Sequence, residues 1–252
     1  QREKIDNMSK NLFLIKKINN SLKNYDQISI IDLGTGTGSN FRFLSKKIKY
    51  KNQSWTLMDI SKNSLNEAKK NVTTNDKIKK IIIKHDDIIK NIQQNNFTNY
   101  DLVTGSAFLD IMPHEWFKKF YLKNINTKIV YFSINYDGYF KFYPKHRMDK
   151  NVLQLFNSDQ KSRKNNKTRA VGPDCSNIIK SYFSKTHKSF LFKSTWANVK
   201  DKNFQLMFLD FCENIIKKNK KNNLLEWLDF RKDNIFKNKS KLSVSNKDFL
   251  AI

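Results

Sequence analysis

Apolar positions along this 252-residue chain recur with two different periods, and the two alternate. Short runs rich in β-branched residues predict strands over 28–33, 55–58, 79–84, 101–104 and 128–134. Three consecutive isoleucines, Ile81, Ile82 and Ile83, read as a strand buried on both faces. Between these runs the spacing turns helical: 39–48, a segment from a Ser61 cap to Asn71, and one opened by Pro113 and running to Tyr121. Such alternation implies a mostly parallel sheet covered on both faces. Residues 1–25 read as one amphipathic helix whose stripe of Leu12, Phe13, Ile15 and Ile18 covers a sheet edge or a pocket. Towards the other end, 176–182, 204–216 and 224–235 are helical, and 189–192 and 241–252 are strands.

One stretch breaks the pattern. Residues 135–174 carry aromatics first (Tyr136, Tyr139, Phe140, Phe142, Tyr143) and then a basic, asparagine-rich run from Lys161 to Arg169. No period covers it, and a loop of that length in a compact domain is usually functional or disordered. There is no internal repeat and no linker, so 1–252 reads as one domain. Its parts are an N-terminal helical cap (1–25), a nucleotide-binding core (26–134), a substrate-side insertion or lid (135–174) and C-terminal strands with inserted helices (175–252).

Composition narrows the class. No apolar run approaches the ~18 to 20 residues that span a bilayer. No basic–apolar–small leader opens the chain, so a cytoplasmic protein with no membrane partner is expected. Cys175 and Cys212 have neither metal nor redox spacing; a disulfide stays open, a reducing compartment is simpler. The scattered histidines suggest no protein-held metal. A formal charge of +25 attracts polyphosphate. Overuse of lysine, asparagine and isoleucine, all with A/T-rich codons, offers a second explanation for that charge.

The most informative segment is Ile30-Ile31-Asp32-Leu33-Gly34-Thr35-Gly36-Thr37-Gly38. Strand, glycine turn and helix form the opening of a nucleotide-binding α/β unit. A dinucleotide fingerprint needs glycine at the first, third and sixth positions; here the sixth is Ser39 and the third glycine comes early, at Gly38. With Asp32 two residues ahead, the pattern resembles the first motif of class I S-adenosylmethionine (SAM) methyltransferases. Three more segments fall at successive strand ends, where open α/β sheets bind ligands. Asp59, with Ile60, lies about 20 residues past the glycines, where a carboxylate accepts both ribose hydroxyls. His85-Asp86-Asp87-Ile88 offers a carboxylate and a main-chain N–H for an adenine edge. Thr104-Gly105-Ser106-Ala107 ends the fourth strand.

The resemblance extends further, to a little-characterised bacterial group of class I methyltransferases. It covers Gln53 to Asp59, Tyr100 to Asp110, Asn135-Tyr136-Asp137-Gly138, and Phe156-Asn157 with Gln160 and Lys161. Val171-Gly172-Pro173, Ser194-Thr195-Trp196 and the closing 242–250 stretch also match. The chain departs from that group at Asp159, where the relatives have histidine, and at 162–168, where they are glycine-rich.

What the resemblance implies is a Rossmann-like α/β fold with a mostly parallel seven-stranded sheet, order 3-2-1-4-5-7-6, and helices on both faces. It implies SAM as cofactor and S-adenosyl-L-homocysteine (SAH) as product. The cofactor-binding set is Asp32, Gly34, Thr35, Gly36, Gly38, Asp59, Ile60, Asp86, Asp87, Ile88, Ser106 and Ala107. The sulfonium methyl is already activated, so an enzyme of this kind mainly aligns a nucleophile and excludes water. Tyr136 and Asp137, expected to end the fifth strand, and Asp110 with His114, four apart across Pro113, are the catalytic candidates. Asn157 and Gln160 are candidate acceptor contacts, descending from the insertion as a polar lid.

The favoured acceptor is a small molecule. RNA methylation with the basic insertion gripping phosphate is the alternative, DNA less so, and a non-catalytic SAM-binding module a remote third. Against base methylation, Gly105-Ser106-Ala107-Phe108 replaces the Asn/Asp-Pro-Pro-aromatic motif of exocyclic-amine methylases.

Overall fold

The computed structural model describes residues 2–72, 76–165 and 168–252. Asn166 and Lys167 of the basic run lie outside the described residues, as does Gln1. Parallel strands β1 (Ile28–Leu33), β2 (Gln53–Asp59), β3 (Ile78–His85), β4 (Leu102–Ser106) and β5 (Ile129–Tyr143) lie in the order 3-2-1-4-5. After β5 the sheet turns antiparallel. β8 (Lys241–Ala251) lies beside β5, β6 (Ser189–Lys193) beyond β8, and the short β7 (Trp196–Val199) also pairs with β8. Setting β7 aside, the path is the expected seven-stranded order, with the C-terminal strand between the fifth and sixth.

Alternation along each strand feeds two layers. Ile31, Leu33, Val103 and Phe132 meet Trp116, Phe120 and Phe183 from α5 (His114–Lys123) and α7 (Cys175–Phe183). Ile30, Trp55, Leu57 and Tyr131 meet α2 (Leu12–Ser21) and α3 (Ser39–Lys47) on the opposite face. A third, aromatic cluster joins the far half of β5 to α6 (Asp149–Ser162), α8 (Lys202–Lys218) and α9 (Leu225–Phe236). Cys175 and Cys212 are both free and buried, in different clusters.

Four expectations need correction. The N-terminal segment is two helices, α1 (Arg2–Ser9) and α2, because the Asn11 side chain accepts from the N–H groups of Phe13 and Leu14 and starts a new helix. β3 is not buried on both faces: Ile82 is 44% and Ile83 36% exposed, since β3 is the sheet edge and, among the described residues, pairs only with β2. β5 does not end at residue 134 but runs to Tyr143, so Tyr136 and Asp137 sit inside it. Much of the supposed loop is therefore the end of β5 and α6, with Phe140 and Phe142 facing the core and Tyr139, Lys141 and Tyr143 facing out.

Candidate active site

β1 has β2 on one side and β4 on the other, so the chain reverses its winding direction there, and ligands bind beyond the carboxyl ends of strands at such a point. β1 leads into a turn in which Gly34 and Gly36 take φ of 62° and 55°. Asp32 lies beneath that turn, fully buried. Its Oδ2 accepts from the Thr35 hydroxyl at 2.7 Å and its Oδ1 from Asn40 Nδ2 at 2.8 Å. Asn40 Oδ1 in turn accepts from Nζ of the buried Lys10 at 3.0 Å, which ties the N-terminal helices to the turn. Asp32 thus shapes the turn rather than lining the cavity above it.

Burial raises the Asp32 pKa to about 6, against the opposing pull of the Asn40 and Thr35 hydrogen bonds and of Lys10. Unfolded, the same group ionises near 3.8. Between these values the folded state binds more protons than the unfolded state, so stability falls as pH rises through this window. The loss should total roughly 3 kcal/mol. Denaturant unfolding of wild type and Asp32→Asn between about pH 4 and pH 7 checks it, because the variant should lack this component. Equal pH slopes in the two proteins would contradict the buried ionisation.

Asp59 closes the turn from β2: its Oδ2 accepts from the Gly36 N–H at 2.8 Å and its Oδ1 from the Ser61 N–H at 2.8 Å. Beside it opens a cavity of about 300 Å³, lined among others by Gly34, Asp59, Ile60, Asp87, Ile88 and Ala107. Asp86 also lines it. Burial pushes the Asp86 pKa up, but donors from Asn91, Lys84 and Asn95 outweigh this and hold it below its ordinary value. Asp87 Oδ1 accepts from the N–H groups of Ile89 and Lys90 at 3.0 and 3.2 Å. Phe108, Met58 and Met112 complete an apolar wall that sequence reading missed, since nothing local marks them. Thr35, Gly36, Gly38 and Ser106 shape the turn and the β4 end without lining the cavity.

A second cavity, about 160 Å³, shares the lining residue Ala107 with the first. Tyr136, Phe156, Trp196 and Phe208 give it aromatic walls; Asp110 and Gln160 add polar groups. Ala107 has φ 51° and Ile134, which also lines the second cavity, φ 55°. A β-branched residue in that region is strained, and such strain concentrates at functional sites. Ile134 is held there by its N–H, which donates to Oδ1 of the buried Asp248 at 2.8 Å.

The structure sorts the catalytic candidates. Tyr136 faces the second cavity, its hydroxyl donating to Asn157 Oδ1 at 2.8 Å and its pKa pushed up by burial. Asp110 faces the same cavity, and burial raises its pKa too. His114 is exposed on α5 and lines neither cavity, so the paired Asp110–His114 site does not form. Asp137 faces Lys247 at 3.6 Å instead of either cavity, because it lies on the strand one residue out of phase with Tyr136. Asn157 also donates to the Gly138 carbonyl at 2.8 Å, clamping α6 to β5, while Gln160, one turn along, does reach the cavity.

These features suit SAM. Carboxylates of Asp59, Asp86 and Asp87 line the first cavity, a wall that repels a pyrophosphate and accepts hydroxyl and ammonium donors. The close approach of Phe108 at Gly34 leaves no room for a Cβ. Fold and site define a class I, Rossmann-like nucleotide-binding domain. Residues 30–125 match the family model for a methyltransferase domain. The chain thus carries a methyltransferase domain over those residues.

No curated protein matches the chain. Among solved structures, it is similar to a cyclopropane-fatty-acyl-phospholipid synthase-like protein from Lactobacillus casei. Identity is 9% over 95% of this chain and 90% of that one, with a TM-score of 0.58. A cyclopropane synthase from Mycobacterium tuberculosis gives 11% identity, 96% and 84% coverage and a TM-score of 0.48. A SAM-dependent methyltransferase from Geobacter sulfurreducens, solved with SAH, gives 10%, 97% and 92%, and 0.43. At these identities the likeness concerns the fold. Among the described residues, no helix is long and apolar enough to cross a membrane.

Proposed function

We propose that the protein transfers a methyl group to a small-molecule acceptor held in the aromatic cavity. The observation that carries this is that Ala107 lines both that cavity and the carboxylate-lined one. Bound SAM supplies an electrophilic methyl, and loss of that methyl leaves the electron pair on sulfur. In this reading Asp59 holds the ribose, Asp87 and the Ile88 N–H read the adenine, and the glycine turn lies against the methionine moiety. Tyr136, Phe156 and Gln160 orient the acceptor and keep water out. α1, α6 and α8 act as the walls that close the acceptor side.

Asp59→Ala is expected to weaken SAM binding about 30-fold, the equivalent of ~2 kcal/mol for a charged hydrogen-bond partner lost. Calorimetry checks this, and unchanged affinity would remove the ribose assignment. For the acceptor, label from methyl-labelled SAM should enter the ultrafiltered small-molecule fraction of a cell extract. Label confined to RNA would establish nucleic-acid methylation instead. That second reading is favoured by one feature: a cleft of about 640 Å³ beyond the acceptor site, lined by Lys141, Lys145, Lys150 and Lys241 around the exposed rings of Tyr139 and Tyr143. Cations around stackable rings suit a single strand.

A further inference from the structure

We infer that the acceptor is an amine that also carries an anionic group, its nitrogen held by Asp110 at the inner end of the aromatic cavity and its anion by Arg2 and Arg163 at the mouth. This rests on the acceptor cavity proposed above. Asp110 lies three residues after Ala107, the point shared with the carboxylate-lined cavity. Its Oδ1 is buried and has no hydrogen-bond partner among the described residues. A carboxylate oxygen removed from water needs a donor, and a ligand N–H in this cavity supplies one. The walls agree: Tyr136, Phe156, Trp196 and Phe208 line the same cavity as Asp110, and aromatic faces attract an ammonium.

The mouth has the opposite sign. Arg2 and Arg163 line the same cavity with side chains 46% and 43% exposed. Each engages one carboxylate through Nε, Asp6 and Asp159 respectively, at 3.2 Å. Asp159 is shared with Lys218 at 2.7 Å, so Arg163 keeps a net positive surrounding. Guanidinium forks of this kind bind a carboxylate or phosphate through parallel N–H groups. The cavity therefore runs from a buried anion to an exposed pair of cations, which matches a ligand with an amine at one end and an anion at the other.

The chemistry balances on these residues. The bound ammonium gives a proton to Asp110, whose pKa burial holds above the usual carboxylate range against the pull of Arg2 and Arg163. The freed nitrogen lone pair forms the bond to the methyl carbon as the methyl–sulfur bond breaks and its electron pair stays on sulfur. Asp110 then releases its proton to water as the product leaves.

Calorimetry on the full chain loaded with SAH tests the assignment with three probes: 4-(aminomethyl)benzoate, which has an amine at one end and a carboxylate at the other, and its two halves, benzylamine and benzoate. 4-(Aminomethyl)benzoate should bind at least about tenfold tighter than either half. Asp110→Asn should weaken 4-(aminomethyl)benzoate and benzylamine about tenfold and leave benzoate unchanged; Arg163→Gln should do the reverse for the two halves. The inference is overturned if benzoate binds as well as 4-(aminomethyl)benzoate, if Asp110→Asn leaves amine binding intact, or if SAH-loaded protein binds none of the three. A wild-type chain that fails to bind SAH would instead bring down the cofactor site beneath it.

Discussion

Gly34→Ala is expected to lower SAM affinity at least about 100-fold and to cost roughly 2 to 5 kcal/mol of stability. Two terms add. Gly34 has φ 62°, a left-handed conformation that costs an L-residue roughly 1 to 2 kcal/mol. A Cβ there would also stand 2.4 Å from Phe108 Cδ2 and 2.9 Å from Cε2. The ring cannot simply step aside, because it is 4% exposed, stacks on Phe132 at 5.9 Å and meets Trp116 edge-on at 5.7 Å. Either Phe108 or the turn must shift, and both line the carboxylate-walled cavity. Gly36→Ala provides the control. Its φ is 55°, but an added Cβ meets nothing within 4 Å, so its stability loss should stay near the ~1 kcal/mol of backbone strain. Denaturant unfolding and SAH calorimetry on both variants separate the terms. Equal stability losses in the two would contradict the Phe108 contact.

That pair of glycines belongs to the half of the site that is legible in the sequence. The glycine spacing and the carboxylates after successive strands are local patterns, each within a few residues of an apolar run that fixes its strand. Gly34, Asp59, Asp86, Asp87 and Ala107 line one cavity. Asp32 shows the limit of that logic, since the same motif position places its carboxylate under the turn with Thr35 and Asn40 instead of in the pocket. The acceptor side is much less legible. Lys141 and Tyr143 extend β5 only because Ser243 and Lys241 pair with them from the far end of the chain. Without that partner, alternating aromatics and lysines resemble a loop. Phe208 on α8 and Trp196 on β7 line the aromatic cavity by the same long-range packing, and their local sequence gives no sign of it. The isoleucine run in β3 errs in the other direction: hydrophobicity alone cannot tell a central strand from an edge.

Arg231→Ala is expected to destabilise the protein by about 2 to 4 kcal/mol, from the void left by a buried side chain and the loss of its hydrogen bonds to a part-exposed carboxylate, and to lower Tm by roughly 10 °C. Arg231 is fully buried. Its guanidinium donates to the Pro144 carbonyl just past β5 and to Asp149 Oδ1 at the start of α6. Trp227 Nε1 donates to the same Asp149 oxygen at 2.7 Å. The cation also lies 5.2 Å from the centroid of Phe142 and 5.3 Å from that of Trp227. One side chain thus joins the end of β5, the start of α6 and the face of α9, the elements that carry the aromatic cluster beside the acceptor cavity. Truncation strands the Pro144 carbonyl and leaves a void among the rings, whereas Arg231→Met keeps most of the volume and should recover part of the loss. Among the described residues, Phe142 and Trp227 belong to the aromatic cluster and to neither of the two clusters that pack β1 and β4. Folded Arg231→Ala should therefore bind SAH within about threefold of wild type while losing affinity for ligands of the aromatic cavity. A matching loss of SAH affinity would mean that the cofactor half depends on the α6–α9 half for its shape. Retained SAH binding would instead assign the two halves separate duties, cofactor capture on the parallel strands and acceptor choice on the helices that Arg231 pins to β5.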